Sequence, residues 1–240
     1  MSSGEINATS IWPEQVAYED NHILVVNKLP SEIVQGDKTG DLPLSEKVKH
    51  FIKERDLKPG NVFCGVIHRL DRPVSGLVIF AKTSKALSRF NELFREKTIH
   101  KTYLAVVKNK PPKNSDKLIH YLVKNEKANM SKAYEKPVAN ALKAELDYEL
   151  LASSDNYHLL KIKLHTGRHH QIRCQLAAIG CPIKGDLKYG FNRSNAGGFI
   201  HLHSYELNFV HPVRQEELTI TALPVSNDAV WHYFSKLLTT

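Results

Sequence analysis

The segment His68-Arg69-Leu70-Asp71-Arg72-Pro73-Val74-Ser75-Gly76 sets one carboxylate between two guanidinium groups, in a loop that Pro73 stiffens and Gly76 ends. Neighbouring cations favour the charged form of an acid, so Asp71 is expected to be ionised. An ionised carboxylate in a cleft can attack as a nucleophile or accept a proton. The same residues also suit a plain loop ion pair, and from physics alone that is the better reading. A second basic segment is Thr166-Gly167-Arg168-His169-His170-Gln171-Ile172-Arg173. Here Gly167 permits an unusual backbone angle, a helix start offers N–H groups to an anion, and Arg168 and Arg173 add donors suited to phosphate or carboxylate. Its bland alternative is a solvated basic helix. His165 and His169 have the i,i+4 spacing of metal-binding helices but lack the accompanying Glu, and Gly167 lies between them, so solvent or nucleic acid is the better partner. Tyr103 begins a strand, where half-buried packing is usual and stacking on an unstacked base is the functional option. Cys64 and Cys174 read as small core residues.

These groups need elements to hold them. Ile23–Asn27, Leu77–Ala81 and Tyr103–Val107 are short apolar runs rich in β-branched residues and predict strands. The run after residue 43 predicts a helix to about Arg55, with Leu44, Val48, Phe51 and Ile52 inward. Ser84 is a candidate cap for a helix whose inner face is Leu87, Phe90, Leu93 and Phe94. Residues 142–150 and 157–164 read as consecutive strands. A helix opens in the 166–173 segment, with Ile172, Leu176 and Ile179 inward and Gly180 as its stop. Leu202–Val210 and Glu217–Ala222 are late strands, and Asn227–Leu238 is a closing helix. Residues 1–15 read as a frayed leader and 124–140 as a mobile insertion. Strands interspersed irregularly with few helices predict one α+β domain over residues 16–240.

Composition limits the class. The 240 residues carry 33 Lys+Arg against 25 Asp+Glu, a net charge of +8, with 42% hydrophobic and 24% charged residues. Those are globular values, and the charge points to a polyanionic partner. No apolar run approaches the ~20 residues needed to span a bilayer, and three cysteines make no disulfide framework, so a cytoplasmic protein is expected.

The first segment resembles the His-Arg-Leu-Asp-x-x-Thr-Ser-Gly signature of the RluA-type RNA pseudouridine synthases. Other blocks match in the same order. Asn27-Lys28 resembles the first family block. Phe94-Arg95-Glu96-Lys97 followed by Lys101-Thr102-Tyr103 resembles the block carrying the family tyrosine. Thr166–Arg173 resembles Thr-Gly-Arg-x-His-Gln-Ile-Arg. Gly180–Asp186 with Tyr189-Gly190 resembles Gly-His-Pro-Ile-x-Gly-Asp-x-x-Tyr-Gly, and Leu202-His203 to His211-Pro212 resembles the closing block. The resemblance covers about residues 16–224. It implies a mixed, largely antiparallel sheet with flanking helices and a central basic cleft. It implies Asp71 as catalytic aspartate, Tyr103 as the stacking and proton-transfer tyrosine, and Arg173 as the aspartate's partner. It makes His68, Arg69, Arg72, Arg168, His170 and Gln171 candidate RNA contacts. It implies uridine-to-pseudouridine isomerisation in ribosomal RNA (large subunit favoured) or transfer RNA, with no cofactor or metal; the sequence does not set the oligomeric state, for which a monomer is the default, and shows no obligate protein partner. The alternatives are an inactive RNA-binding or chaperone protein on the same fold, and a metal-dependent nuclease. Only about fifteen residues precede the catalytic unit, so the RNA-binding domain often fused there is not expected. Val74 stands where Thr is usual, His169 where Thr is common, Cys174-Gln175 for Val-His, and Cys181 for His. Loops 29–43 and 124–140 are the least family-like and are expected to select the RNA.

Overall fold

The computed structural model describes residues 9–225 and 228–239. Its strands are β1 (Val16–Glu19), β2 (Ile23–Lys28), β3 (Gly65–Val66), β4 (Ser75–Ala81), β5 (His100–Val107), β6 (Ser115–Asn125), β7 (Met130–Tyr134), β8 (Leu142–Ser153), β9 (His158–Leu164), β10 (Leu202–Val210) and β11 (Glu217–Thr221). The helices are α1 (Leu44–Arg55), α2 (Ser84–Glu96), α3 (Gln171–Ala178) and α4 (Ala229–Leu238). All strands join one sheet in the order β1-β2-β4-β10-β5-β9-β8-β6-β7, with β11 on β10 and β3 on β4. Every pairing is antiparallel except β4 with β10, where Ser75 and Gly76 face His203 and Ser204. The sheet is therefore mixed and largely antiparallel, as expected. No helix among the described residues is long and apolar enough to cross a membrane.

Alternation along the central strands assigns the helices to faces. On β4, Val78 and Phe80 pack with Leu44, Val48 and Ile52 of α1, while Leu77 and Ile79 pack with Phe90 of α2. On β5, Tyr103 and Ala105 share a cluster with Ile172 and Leu176 of α3, while Leu104 and Val106 meet Trp231 and Phe234 of α4. Strand β4 is buried along its whole length, which explains its unbroken apolar run.

Gly76 makes the parallel join possible. Its φ is +111°, and a Cβ there would lie 2.3 Å from the Ser204 carbonyl oxygen and 2.5 Å from its nitrogen. Both obstacles are backbone, so neither can turn aside. Gly76→Ala is expected to cost about 3 kcal/mol or more, from strain and overpacking together. Urea unfolding of the variant checks this, and an unchanged midpoint would contradict it.

Several local expectations change. Thr83, not Ser84, caps α2, accepting the Ala86 N–H at 3.1 Å. Helix α3 begins at Gln171, so Thr166–His170 forms the loop before it. Gly167 is not in the left-handed region; His170 is, at φ 51°. Gly180 ends α3 at φ +77°, as read. The expected insertion 124–140 contains the end of β6 and all of β7, which form an antiparallel hairpin. Most of β6, residues 115–123, has no counterpart in the sequence reading. Of the expected leader, residues 1–8 lie outside the described residues, whereas Ile11 packs with the α1 cluster and the Gln15 side chain reaches the Asn27 carbonyl at 3.4 Å. The closing helix starts at Ala229 under an Asp228 cap; Asn227 lies outside the described residues.

Candidate active site

Residues 67–74 link β3 to β4 and carry Asp71 at their tip. The loop is held through its own carbonyls. Asp71 C=O accepts from Val74 N–H (3.0 Å), Arg72 C=O from Ser31 N–H (2.9 Å) and Lys28 Nζ (3.2 Å), and Pro73 C=O from Ile200 N–H (3.1 Å). Clamping both sides of the carboxylate fixes its aim without engaging the side chain.

The Asp71 side chain meets Arg173, the third residue of α3. Arg173 Nη1 donates to Asp71 Oδ2 at 3.0 Å. The other edge of the guanidinium is chelated by Asp186, with Nε to Oδ2 at 2.7 Å and Nη2 to Oδ1 at 2.8 Å. Arg173 also lies over the Tyr189 ring, 5.1 Å from its centroid. Asp186 is 1% exposed and has no access to water, so its role is to orient Arg173. One planar fork thus spans two carboxylates, which a lysine could not do.

His170 completes the group. Its Nε2 is 3.4 Å from Asp71 Oδ2 and its Nδ1 is 2.9 Å from Tyr189 Oη. Burial pushes its pKa down to about 3, so the ring is neutral at ordinary pH. Tyr189 Oη accepts the Ser131 N–H at 2.8 Å and shares its second contact with His170 Nδ1. The ring thus bridges Tyr189 and Asp71 through its two nitrogens.

Tyr103 stands on β5, paired with Ser204 of β10 and Ile162 of β9, and opens onto the same cleft as Asp71. Burial, with the Asp71 charge, lifts its hydroxyl to about 12, so it is present as O–H. The cleft measures about 1310 Å³. This exceeds the roughly 300–1,000 Å³ of small-molecule pockets. Arg69, Arg72, Lys97, Lys101, Lys117, Lys124, Arg168, Arg173 and Lys188 line it, with Asp37, Asp71 and Glu145.

Not every expected residue faces this space in the same way. Arg69 and Arg168 line it, Arg168 with its Nε on the Lys143 carbonyl at 3.1 Å. Arg72 is paired with Asp41 and donates to Ser31 C=O at 3.2 Å. His68 borders the cleft, but its Nε2 accepts the Ile79 N–H at 3.1 Å and its ring stacks on Phe94, so it braces the loop. Gln171 is buried outside the lining: it accepts from Thr166 Oγ1 and Arg168 N–H and donates to Glu145 C=O, which shapes the Thr166–His170 loop. His165 pairs with Asp147 while His169 points to Asn129, so the two do not converge; among the described residues no group of His, Cys, Asp and Glu gathers to hold a metal.

Comparison with known sequences decides the family. A profile described as RNA pseudouridylate synthase matches residues 22–178. The chain belongs to the RNA pseudouridylate synthase family. Relatives of this pseudouridine synthase include the ribosomal large subunit pseudouridine synthase C of Vibrio vulnificus, 31% identical over 92% of this chain and 69% of that protein. They also include the tRNA pseudouridine synthase C of Haemophilus influenzae, 31% identical over 87% of this chain and 92% of that protein. Among solved structures, human RNA pseudouridylate synthase domain containing 4 superposes with a TM-score of 0.74 at 21% identity, covering 94% of this chain and 93% of that one, and shares the fold. The synthase is thus an RNA-modifying isomerase on a pseudouridine synthase domain.

Three residues at this site are not singled out by the sequence. Asp186 and Tyr189 lay within a matched block, but nothing in their spacing told that they grip Arg173 and His170. Lys28 was the third. It is 0% exposed, and its Nζ donates to the carbonyls of Leu29 (2.9 Å), Glu32 (2.8 Å) and Arg72 (3.2 Å), tying the 28–32 loop to the Asp71 loop. Burial lowers its pKa to about 7. Between that value and the unfolded value near ~10.4 the unfolded chain binds more protons, so this group makes stability rise with pH across the window. Lys28→Met removes the titration. The stability difference between wild type and variant is expected to widen from pH 7 to pH 9.5, and urea titrations at both pH values check it; a constant gap would refute the assignment.

Proposed function

We propose that this synthase converts specific uridines to pseudouridine in ribosomal RNA, large subunit favoured, or transfer RNA of the cytoplasm, with residues 16–240 as the catalytic unit. The observation that carries the proposal is the Asp71–Arg173–Asp186 arrangement at the cleft floor. The ribosomal and transfer RNA substrates named for its relatives support the choice of RNA.

The residues suit each step. The cleft's lysines and arginines hold the phosphates, so affinity should fall steeply with salt. The target uridine leaves its stack, which costs a few kcal/mol, and the Tyr103 ring offers a face worth ~1–3 kcal/mol in return. Asp71, hydrogen-bonded by Arg173, acts on the sugar, as nucleophile or as base. The bond from ribose C1′ to uracil N1 breaks, leaving a uracil anion that the cationic floor stabilises. The ring turns, C1′ bonds to C5, C5 loses its proton and N1 gains one, so substrate and product are isomers. No cofactor or metal has a part in this scheme, and the catalytic unit works as a monomer.

Loss of the C5 hydrogen gives the assay. RNA labelled with [5-³H]uridine, from cells lacking the gene, should release tritium to water on incubation with the protein, and should do so in EDTA. Pseudouridine mapping of the same RNA then names the position. No release, with folded protein bound to the RNA, would overturn the reading.

A further inference from the structure

His169, at the variable position of the Thr166–Arg173 block where Thr is common, contacts both the cleft wall and the catalytic floor. Its ring lies on His170 with centroids 3.8 Å apart and planes inclined by 21°. Its Nε2 is 3.0 Å from Asn129 Oδ1, in the turn between β6 and β7. Ser131 Oγ is shared between His169 Nδ1 (3.0 Å) and the His169 carbonyl (2.8 Å). The hairpin is tied to the floor by other groups as well. Lys188 Nζ donates to the Asn129 carbonyl at 3.2 Å, and Tyr189 Oη receives the Ser131 N–H while also meeting His170 Nδ1 at 2.9 Å. Lys124, Asn129 and Lys188 all line the cleft, so the hairpin and what it rests on form one wall of the RNA path.

From this geometry we propose that His169 is a positioning residue that latches the β6–β7 hairpin onto the catalytic floor. The latch fixes the hairpin wall for RNA, and the stacked ring holds His170 with its Nε2 beside Asp71. Hairpin seating and the aim of the carboxylate are then coupled through two adjacent imidazoles. Backbone at His170 is already left-handed (φ 51°, ψ 28°), a conformation that persists only where the surroundings impose it, and the stack is part of that imposition. The catalytic half of the proposal rests on Asp71 acting as the reactive carboxylate; the latch itself does not.

Three variants separate the parts. His169→Phe keeps the stacked ring and loses both side-chain hydrogen bonds. Asn129→Gly removes one partner while keeping the left-handed turn (φ 47°) at no steric cost. His169→Ala loses ring and bonds together. Hydrogen exchange of residues 126–134 reads the latch without reference to activity. In His169→Phe it should accelerate by about tenfold or more, as the loss of two hydrogen bonds implies, with α1 and β2 unchanged. On [5-³H]uridine-labelled total RNA from cells lacking the gene, His169→Phe and Asn129→Gly should raise KM about fivefold with kcat within about twofold, and their double variant should be no worse than the worse single. Only His169→Ala should also lower kcat, by about tenfold. Wild-type exchange in the His169→Phe hairpin overturns the latch, and wild-type kcat in His169→Ala overturns the coupling to Asp71. Failure of the functional reading would look different: Asp71→Asn would match wild type in tritium release while the exchange result stood.

Discussion

Asp71→Asn is expected to reduce pseudouridine formation by at least about 10⁴-fold, the order of loss when one member of a catalytic unit is removed. The amide keeps the shape of the side chain and one oxygen for Arg173 Nη1, but it is neither nucleophile nor base. The fold should notice little. The Asp71 side chain is one-third exposed, Arg173 keeps both bonds to Asp186, and the loop is held by backbone carbonyls rather than by the carboxylate. RNA affinity should be retained or slightly raised, because a negative charge leaves a cationic cleft. Single-turnover tritium release, with filter binding on the same RNA, checks both halves. Product at the wild-type rate would remove Asp71 from the chemistry.

Arg173→Met should damage stability and activity by separate routes. Without the guanidinium, Asp186 is a buried carboxylate lacking its charge partner, a loss of about 3–5 kcal/mol. For a domain of this size that lowers the melting temperature by roughly 10 °C. Asp71 loses its hydrogen-bond donor at the same time, and turnover should fall by about 10³-fold or more, in the range seen when a preorganised charge-stabilising donor is removed. Adding Asp186→Leu to Arg173→Met removes the orphaned charge and should recover most of the stability while leaving activity unrecovered. If the double variant regained turnover, Arg173 would matter only to the fold. Calorimetry and tritium release on the two proteins distinguish these outcomes.

The physical reasons for what could be read in the sequence differ from element to element. Strands β2 and β4 and helix α1 announced themselves because each buries one continuous apolar run or stripe. The β6–β7 hairpin did not. Its inward positions on β6 are Leu118, His120 and Leu122, so a histidine breaks the apolar alternation, and that ring is accommodated only because Gln175 of α3 donates to it at 3.0 Å. On β7 the buried position is Ser131, polar and satisfied by distant partners. Polar residues buried through tertiary hydrogen bonds leave no trace in a periodicity. The site behaved likewise. Asp71, Tyr103 and Arg173 were found through ordered family blocks, and the structure brings all three to one cleft. The pair Asp71–Arg173 joins positions 102 residues apart, which no local spacing encodes. Gln171 and His68 look like ligands in a motif because they are polar, yet Gln171 is engaged by the Thr166 hydroxyl and two backbone groups and His68 by the Ile79 N–H.

The place of β10 in the sheet sets an order of events during synthesis. It lies between β4 and β5, yet it leaves the ribosome about a hundred residues after them. Until Leu202–Val210 emerges, β5 has one open edge and β4 is covered on that side only where β3 meets Phe80 and Ala81, and neither the β3–β4 loop nor Tyr103 has its final neighbour. Open strand edges in an incomplete chain are templates for wrong pairing. The candidate site is therefore completed only after β10 has been made, and the interval before β10 arrives is when the growing chain most needs protection from aggregation.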